Sequence, residues 1–170
     1  MLRDFKWKTI IAIGLFAGLI QVATGVAMYL AGIYFVPWSI FVSLFVLLLS
    51  IVFGTLWYRA SALNGQISFG QALIVGIVIS VSTGIVYAVY NIISISFFYP
   101  NFLEDMISGS LAPASRRAAM RESVTANTIA ASNLIRLSVL GTILSVFASF
   151  LLKKKPQMNA EHADRKIESA

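Results

Sequence analysis

Two long stretches of this chain carry no charged side chain: residues 9–58 and residues 60–103 contain no Asp, Glu, Lys or Arg. Uncharged tracts of 50 and 44 residues cannot form the surface of a fold that meets water on every side. Across the chain 58% of residues are hydrophobic and 12% charged, whereas soluble domains carry about a quarter charged. A cytosolic enzyme and a nucleic-acid-binding domain are thereby excluded. An integral membrane protein remains. Its partners are membrane lipids and, in the same plane, a second copy or another membrane protein.

A helix needs about 20 apolar residues to cross the roughly 30 Å hydrocarbon core. The first tract is long enough for two crossings if it breaks, and Gly32 and Pro37 supply the break. Glycine ends helices and proline is tolerated in the first turn of the next. Span one is read at 9–30 and span two at 38–58. Trp38 and Trp57 lie 19 residues apart, roughly 29 Å along a helix, which sets an indole at each interface. Asn64-Gly65 signals a turn, and Ser68 with Gln71 has capping-box spacing. Span three then covers 69–98, closed by Pro100, and span four covers 127–152 before a lysine cluster. The expected fold is an all-α integral membrane bundle of four transmembrane helices in two antiparallel hairpins. Residues 1–155 form that domain and 156–170 a disordered tail, too polar to bury a core.

Orientation follows the basic residues. With both termini on one side, that side holds Arg3, Lys6, Lys8, Arg59, Lys153, Lys154, Lys155, Arg165 and Lys166. The other holds Arg116, Arg117 and Arg121, with Arg136 if it reaches outward. Nine against three or four favours an orientation with both termini in the cytoplasm. A cleaved signal peptide is the competing reading of the start, with Gly25-Val26-Ala27 as its site. The apolar run is longer than a signal h-region and a second span follows at once, which favours a retained helix.

Membrane helices associate through small residues and a few polar contacts. Span three carries Ala72, Gly76, Ser80, Gly84 and Ala88 at steps of four, a continuous packing stripe. Ile74, Val78, Val81, Ile85, Val89 and Ile92 take the opposite, lipid-facing side. Packing within the chain is the plain reading of the stripe; lining a cavity or joining copies is the functional one. Four polar residues lie at depth, Gln21, Asn91, Asn133 and Arg136, and each needs a partner inside the bundle. Asn91 and Arg136 fall at similar depth and can share a layer. Arg136 can alternatively extend its head to the lipid headgroups.

The connection between spans three and four is expected to be partly helical. Asn101 and Glu104 can cap a short amphipathic helix, Pro113 breaks it, and Ser115 can cap a second helix bearing the three arginines. No catalytic residue, cofactor site or metal site emerges. Cysteine is absent, and the one histidine, His162, falls in the tail. No Asp, Glu or His falls within a span, which a proton-coupled transporter ordinarily requires.

The run Asn64-Gly65-Gln66-Ile67-Ser68-Phe69-Gly70-Gln71-Ala72-Leu73 follows Trp57-Tyr58-Arg59. Gly76, Tyr87, Tyr90 and Tyr99-Pro100-Asn101-Phe102-Leu103 come after it, and Leu140-Gly141-Thr142-Ile143-Leu144-Ser145 near the end. In these stretches the chain resembles the bacterial four-span membrane proteins catalogued as domain of unknown function 4199. The resemblance implies a four-helix inner-membrane protein and carries no activity, substrate or cofactor with it. Two functional readings follow. The first is a non-enzymatic membrane protein acting through helix packing or partner association. The second is a small oligomeric transporter or channel with a polar path along Gln21, Asn91 and Arg136, which requires one cavity touching all three.

Overall fold

The computed structural model describes residues 5–34, 36–99, 101–110 and 112–153, and its described elements are all helices. The tail expected at 156–170, and Arg3, Lys154 and Lys155 of the basic rim, lie outside the described residues. Four helices are long and apolar enough to cross a membrane: α1 (Trp7–Leu30), α2 (Ser39–Ala62), α3 (Phe69–Ile93) and, last in the chain, α6 (Ala126–Leu152). The short α4 (Phe102–Ser108) and α5 (Ala114–Ser123) fill the connection between α3 and α6. The end of the bundle that carries them is the loop end; the opposite end holds Trp7, Ala62, Phe69 and Leu152.

Local chemistry sets where these helices begin and stop. Gly32, at φ +71°, turns the chain after α1. Asn64 and Gly65, at φ 49° and 81°, turn it after α2, a conformation that glycine and asparagine tolerate best. Ser68 and Gln71 close a reciprocal capping box on α3, and Thr125 with Thr128 does the same for α6. The last turn of α3 widens into a π-helical turn, Ser94–Phe98, where the Tyr99 N–H reaches the Ser94 carbonyl at 2.8 Å. Just before it, Asn91 Nδ2 donates to the Tyr87 carbonyl and Ser94 Oγ to the Asn91 carbonyl. Side chains that bond the backbone in this way loosen the regular ladder.

The centre of the bundle is α3, which packs most extensively on α6 and next on α1. Glycine makes these approaches close. A Cβ on Gly76 would stand 2.5 Å from Ser145 Oγ, and Ser80 presses on Gly141 from the reverse direction. On α1, Gly14 receives Ser82 and Gly18 receives Val86. Small residues of this kind let backbones meet where lipid offers no hydrophobic drive. The side of α3 turned away from these seams exposes Val81, Ile85, Val89 and Ile92. The outer face of α2 is an exposed ridge of Phe41, Phe45, Leu49, Phe53 and Trp57.

At the terminal end the chain closes on itself. The Tyr58 side chain is fully buried, its hydroxyl accepts from the Lys6 N–H at 3.1 Å, and its ring stacks on Phe5. Arg59 Nη1 donates to the Leu152 carbonyl at 3.3 Å, tying the end of α2 to the end of α6. A free C-terminal carbonyl of a helix has no partner within its own ladder, so this bond satisfies an otherwise orphaned acceptor.

Candidate functional site

A polar chamber opens in the half of the bundle nearest the loop end. Its volume is about 180 Å³, and residues of all four long helices line it. Gln21 stands 14 residues along α1 from Trp7, and Arg136 stands 16 residues along α6 from Leu152, roughly 21 and 24 Å from the terminal end. The chamber therefore lies off the midplane of a bundle that must fill a core of roughly 30 Å.

Each long helix contributes a polar group. Gln21 is 2% exposed, and its Nε2 donates to Ser43 Oγ of α2. Its Oε1 is buried and has no hydrogen-bond partner among the described residues. From α6 come Asn133, buried on one side of its helix, and Arg136, exposed at the chamber's edge. From α3 comes Tyr87, whose hydroxyl lies 3.2 Å from that of Tyr34 in the α1–α2 connection. Among the described residues the ion pair joins Arg121 and Glu104, so Arg136 has no carboxylate beside it.

Aromatic rings cover the loop end of this space. Tyr29 and Tyr99 have centroids 4.6 Å apart, and Phe102 lies 5.8 Å from Tyr29 and 5.5 Å from Tyr34. Phe102 and Met106 bring α4 onto the chamber wall. The opposite boundary is apolar. Leu47, Ile51, Ile79 and Leu137 are at most 1% exposed, and the glycine–serine seams run beside them. Interiors packed to this closeness leave few voids larger than a water molecule.

The sequence-read residues are distributed unevenly over this geometry. Gln21, Asn133 and Arg136 line one chamber. Asn91 does not join them: it borders a separate space of about 10 Å³ with Tyr90, Ser94 and Tyr99, and its amide bonds its own helix. Depth alone put Asn91 level with Arg136, but the rotation of α3 turns it toward the aromatic cluster. The stripe residues Ala72, Gly76, Ser80, Gly84 and Ala88 are all buried within the single chain. Ser43, Tyr34 and Tyr87 belong to the chamber without having been singled out for it. The available signal was that Gln21 needs a polar partner at its own depth, and Ser43 is one turn inside α2.

The connection differs from its sequence reading in two details. Asn101 makes no side-chain cap on α4. Ser115 lies inside α5, which starts at Ala114 after Pro113. Pro113 takes the cap position with an extended ψ of 155°, so the helix begins two residues earlier than a Ser115 cap would start it. Phe102 and Ile107 of α4 are buried, with the Phe102 ring against Tyr29 and Tyr34. Helix α4 is latched to α5 by Glu104, which accepts from Arg121 Nε at 3.2 Å and also pairs with its Nη2.

The hydrogen bond from Arg121, with its positive charge, holds the Glu104 carboxyl below the ordinary glutamate range. A carboxylate whose pKa falls on folding contributes stability above its unfolded pKa, and that contribution is lost as pH falls through the lowered folded value. The latch is thus intact at neutral pH and opens only in acid. Replacing Arg121 by Gln is expected to move the Glu104 titration, followed by carboxyl carbon NMR, upward toward the ordinary value. An unchanged midpoint would remove the latch.

A second, lateral groove of about 400 Å³ runs between α1 and α2, lined by Ile13, Phe16, Ile20, Phe53 and Trp57 among others. Its lining is apolar except for Ser50. Among the described residues no group of three or more His, Cys, Asp or Glu gathers to hold a metal ion.

No curated protein and no solved structure matches this chain. The family described as protein of unknown function DUF4199 matches residues 12–154. With multi-pass helices of this length and a match over most of its sequence, the chain belongs to the DUF4199 family of membrane proteins.

Proposed function

We propose that the chain is a non-enzymatic binding protein of a bacterial inner membrane, built as two antiparallel hairpins with both termini in the cytoplasm. Its working part is the chamber near the loop end, which this orientation turns toward the outside. The observation that carries the reading is the convergence of Gln21, Asn133, Tyr87 and Arg136 on one space above an apolar, closely packed floor. A space with polar walls and a closed end suits binding rather than conduction. Binding is also what its side chains can do: none of those lining it is a carboxylate, a cysteine or a histidine.

Two further features support the orientation and the mode of action. Nine basic residues on the terminal side against three or four on the other follow the positive-inside bias. The small-residue stripe of α3 is occupied by α6 within one chain, so association with a second copy or another membrane protein falls to the exposed ridge of α2. A polar path along Gln21, Asn91 and Arg136 has weaker support, because Asn91 faces a different space.

The absence of cysteine makes the test direct. Asn133→Cys is expected to react with a membrane-impermeant maleimide added to intact spheroplasts and not with the same reagent added to inside-out vesicles. Ser145→Cys, on the packed seam, is expected to react from neither side. Labelling of Asn133→Cys from both faces would replace the binding reading with a conduit, and labelling from neither would remove the chamber.

A further inference from the structure

The binding reading leaves open what the chamber takes, and the unmet bonding of its walls narrows the answer. Three polar side chains there have bonding capacity that no described residue meets. Gln21 Oε1 is buried with no hydrogen bond, although the same amide bonds Ser43 through its nitrogen. Asn133 is 8% exposed, lines the chamber, and forms no side-chain hydrogen bond. Arg136 brings a permanent positive charge to the chamber edge with no carboxylate beside it. A buried amide acceptor without a donor is costly, and an unpaired charge at membrane depth more so. Groups left so by the fold are complementary to something outside it.

The required complement can be stated chemically. Arg136 calls for an oxyanion, since a guanidinium fork matches phosphate and carboxylate and is always charged. Gln21 Oε1 calls for a hydrogen-bond donor, and the Asn133 amide can serve either end. The two demands arise within one space of about 180 Å³, the share of about six waters at roughly 30 Å³ each. A lone carboxylate would fill little of it. Depth decides between the oxyanions. Arg136 lies 16 residues from Leu152, roughly 24 Å up a core of about 30 Å, within side-chain reach of the layer where lipid phosphates stand.

We propose that the chamber binds a phosphate ester bearing a nearby hydroxyl or N–H ammonium group, a hydrogen-bond donor that the quaternary ammonium of phosphatidylcholine lacks, with Arg136 holding the phosphate and Gln21 and Asn133 holding the donor end. This rests on the binding reading above and adds the ligand class. Two sources present this chemistry: the headgroup of an outer-leaflet phospholipid such as phosphatidylglycerol, and a soluble ester such as glycerol phosphate. Tyr34 and Tyr87, whose hydroxyls lie 3.2 Å apart, also line the space.

The test uses the full chain in phosphatidylcholine nanodiscs, read by thermal unfolding and by native mass spectrometry. One arm replaces part of the phosphatidylcholine by phosphatidylglycerol; the other adds glycerol phosphate to the buffer. A saturable rise in unfolding temperature, with the lipid retained in the gas phase in the first arm, is expected in at least one arm and identifies the source. Arg136→Gln is expected to weaken that response about tenfold to a hundredfold, while Arg116→Gln, which removes an equal charge from α5, leaves it unchanged. Arg136→Gln in pure phosphatidylcholine is expected to unfold with the wild type, which separates lost binding from lost folding. If the wild type responds in neither arm, the proposal is wrong even where Asn133→Cys labels from outside. Equal losses in Arg116→Gln and Arg136→Gln would also overturn it, as general attraction to surface charge.

Discussion

Isoleucine in place of Gly76 is expected to keep α3 and α6 from closing, and the loss should be one of folding rather than of association. A Cβ at this position would stand 2.5 Å from Ser145 Oγ, 2.7 Å from Ser145 Cβ and 3.2 Å from a methyl of Ile51. Ser145 cannot swing aside: it is fully buried and its hydroxyl already donates to the Gly141 carbonyl at 2.6 Å. The backbones must therefore separate. Overpacking of this kind costs about 1–3 kcal/mol, and the upper end applies where no flexible side chain can yield. Gly84 supplies the contrast. Its added Cβ would meet the flexible end of Leu134 at 3.0 Å, and alanine recovers about 1 kcal/mol of helix propensity, so Gly84→Ala should fall near neutral. Unfolding in mixed micelles of rising dodecyl sulfate content compares the two. A Gly76→Ile chain that unfolds with the wild type would mean that α3 and α6 do not meet at this seam.

The second large effect lies at the terminal end. Tyr58→Ala should destabilise the bundle by about 3–5 kcal/mol, the range for deleting a buried aromatic ring. The ring is fully buried, stacks on Phe5, and joins the cluster of Ile10, Leu47, Ile51 and Ile79. Its hydroxyl, by contrast, makes one bond to the Lys6 backbone, so Tyr58→Phe should cost only about 1 kcal/mol. The pin has a local readout as well. Trypsin should cut after Lys6 and Lys8 sooner in Tyr58→Ala than in Tyr58→Phe, because the segment before α1 is held by that ring. Equal cleavage in the two variants would show that the ring holds nothing.

The contrast between these sites and the chamber shows which features a sequence of this kind reveals. Charge-free tracts and turn residues make four long apolar helices legible, because a bilayer punishes charge and unpaired backbone everywhere along a span. The capping box at Ser68 and Gln71 is legible because its two bonds are local. The chamber is not, since its lining is drawn from residues as far apart as Gln21 and Arg136, on four helices whose rotations no local pattern states. Asn91 illustrates the limit. Its depth follows from counting residues, but whether it faces Arg136 or Tyr99 depends on how α3 is turned by its glycine contacts on two sides. The connection was legible as helical, yet the role of α4 was not, because Phe102 finds its partners in Tyr29 and Tyr34, far back in the chain.

The central place of α3 also bears on how the protein is made. Gly14 and Gly18 of α1 find their close partners in Ser82 and Val86, and Gly141 of α6 finds its own in Ser80. A ribosome delivers α1 and α2 to the membrane before any of those partners exists. Until the third span emerges, the first holds an unmatched glycine groove, and the pair relies on its lesser mutual contact and on surrounding lipid. The order of synthesis thus makes the arrival of α3 the committing event in assembly, and α6 locks onto a helix already in place.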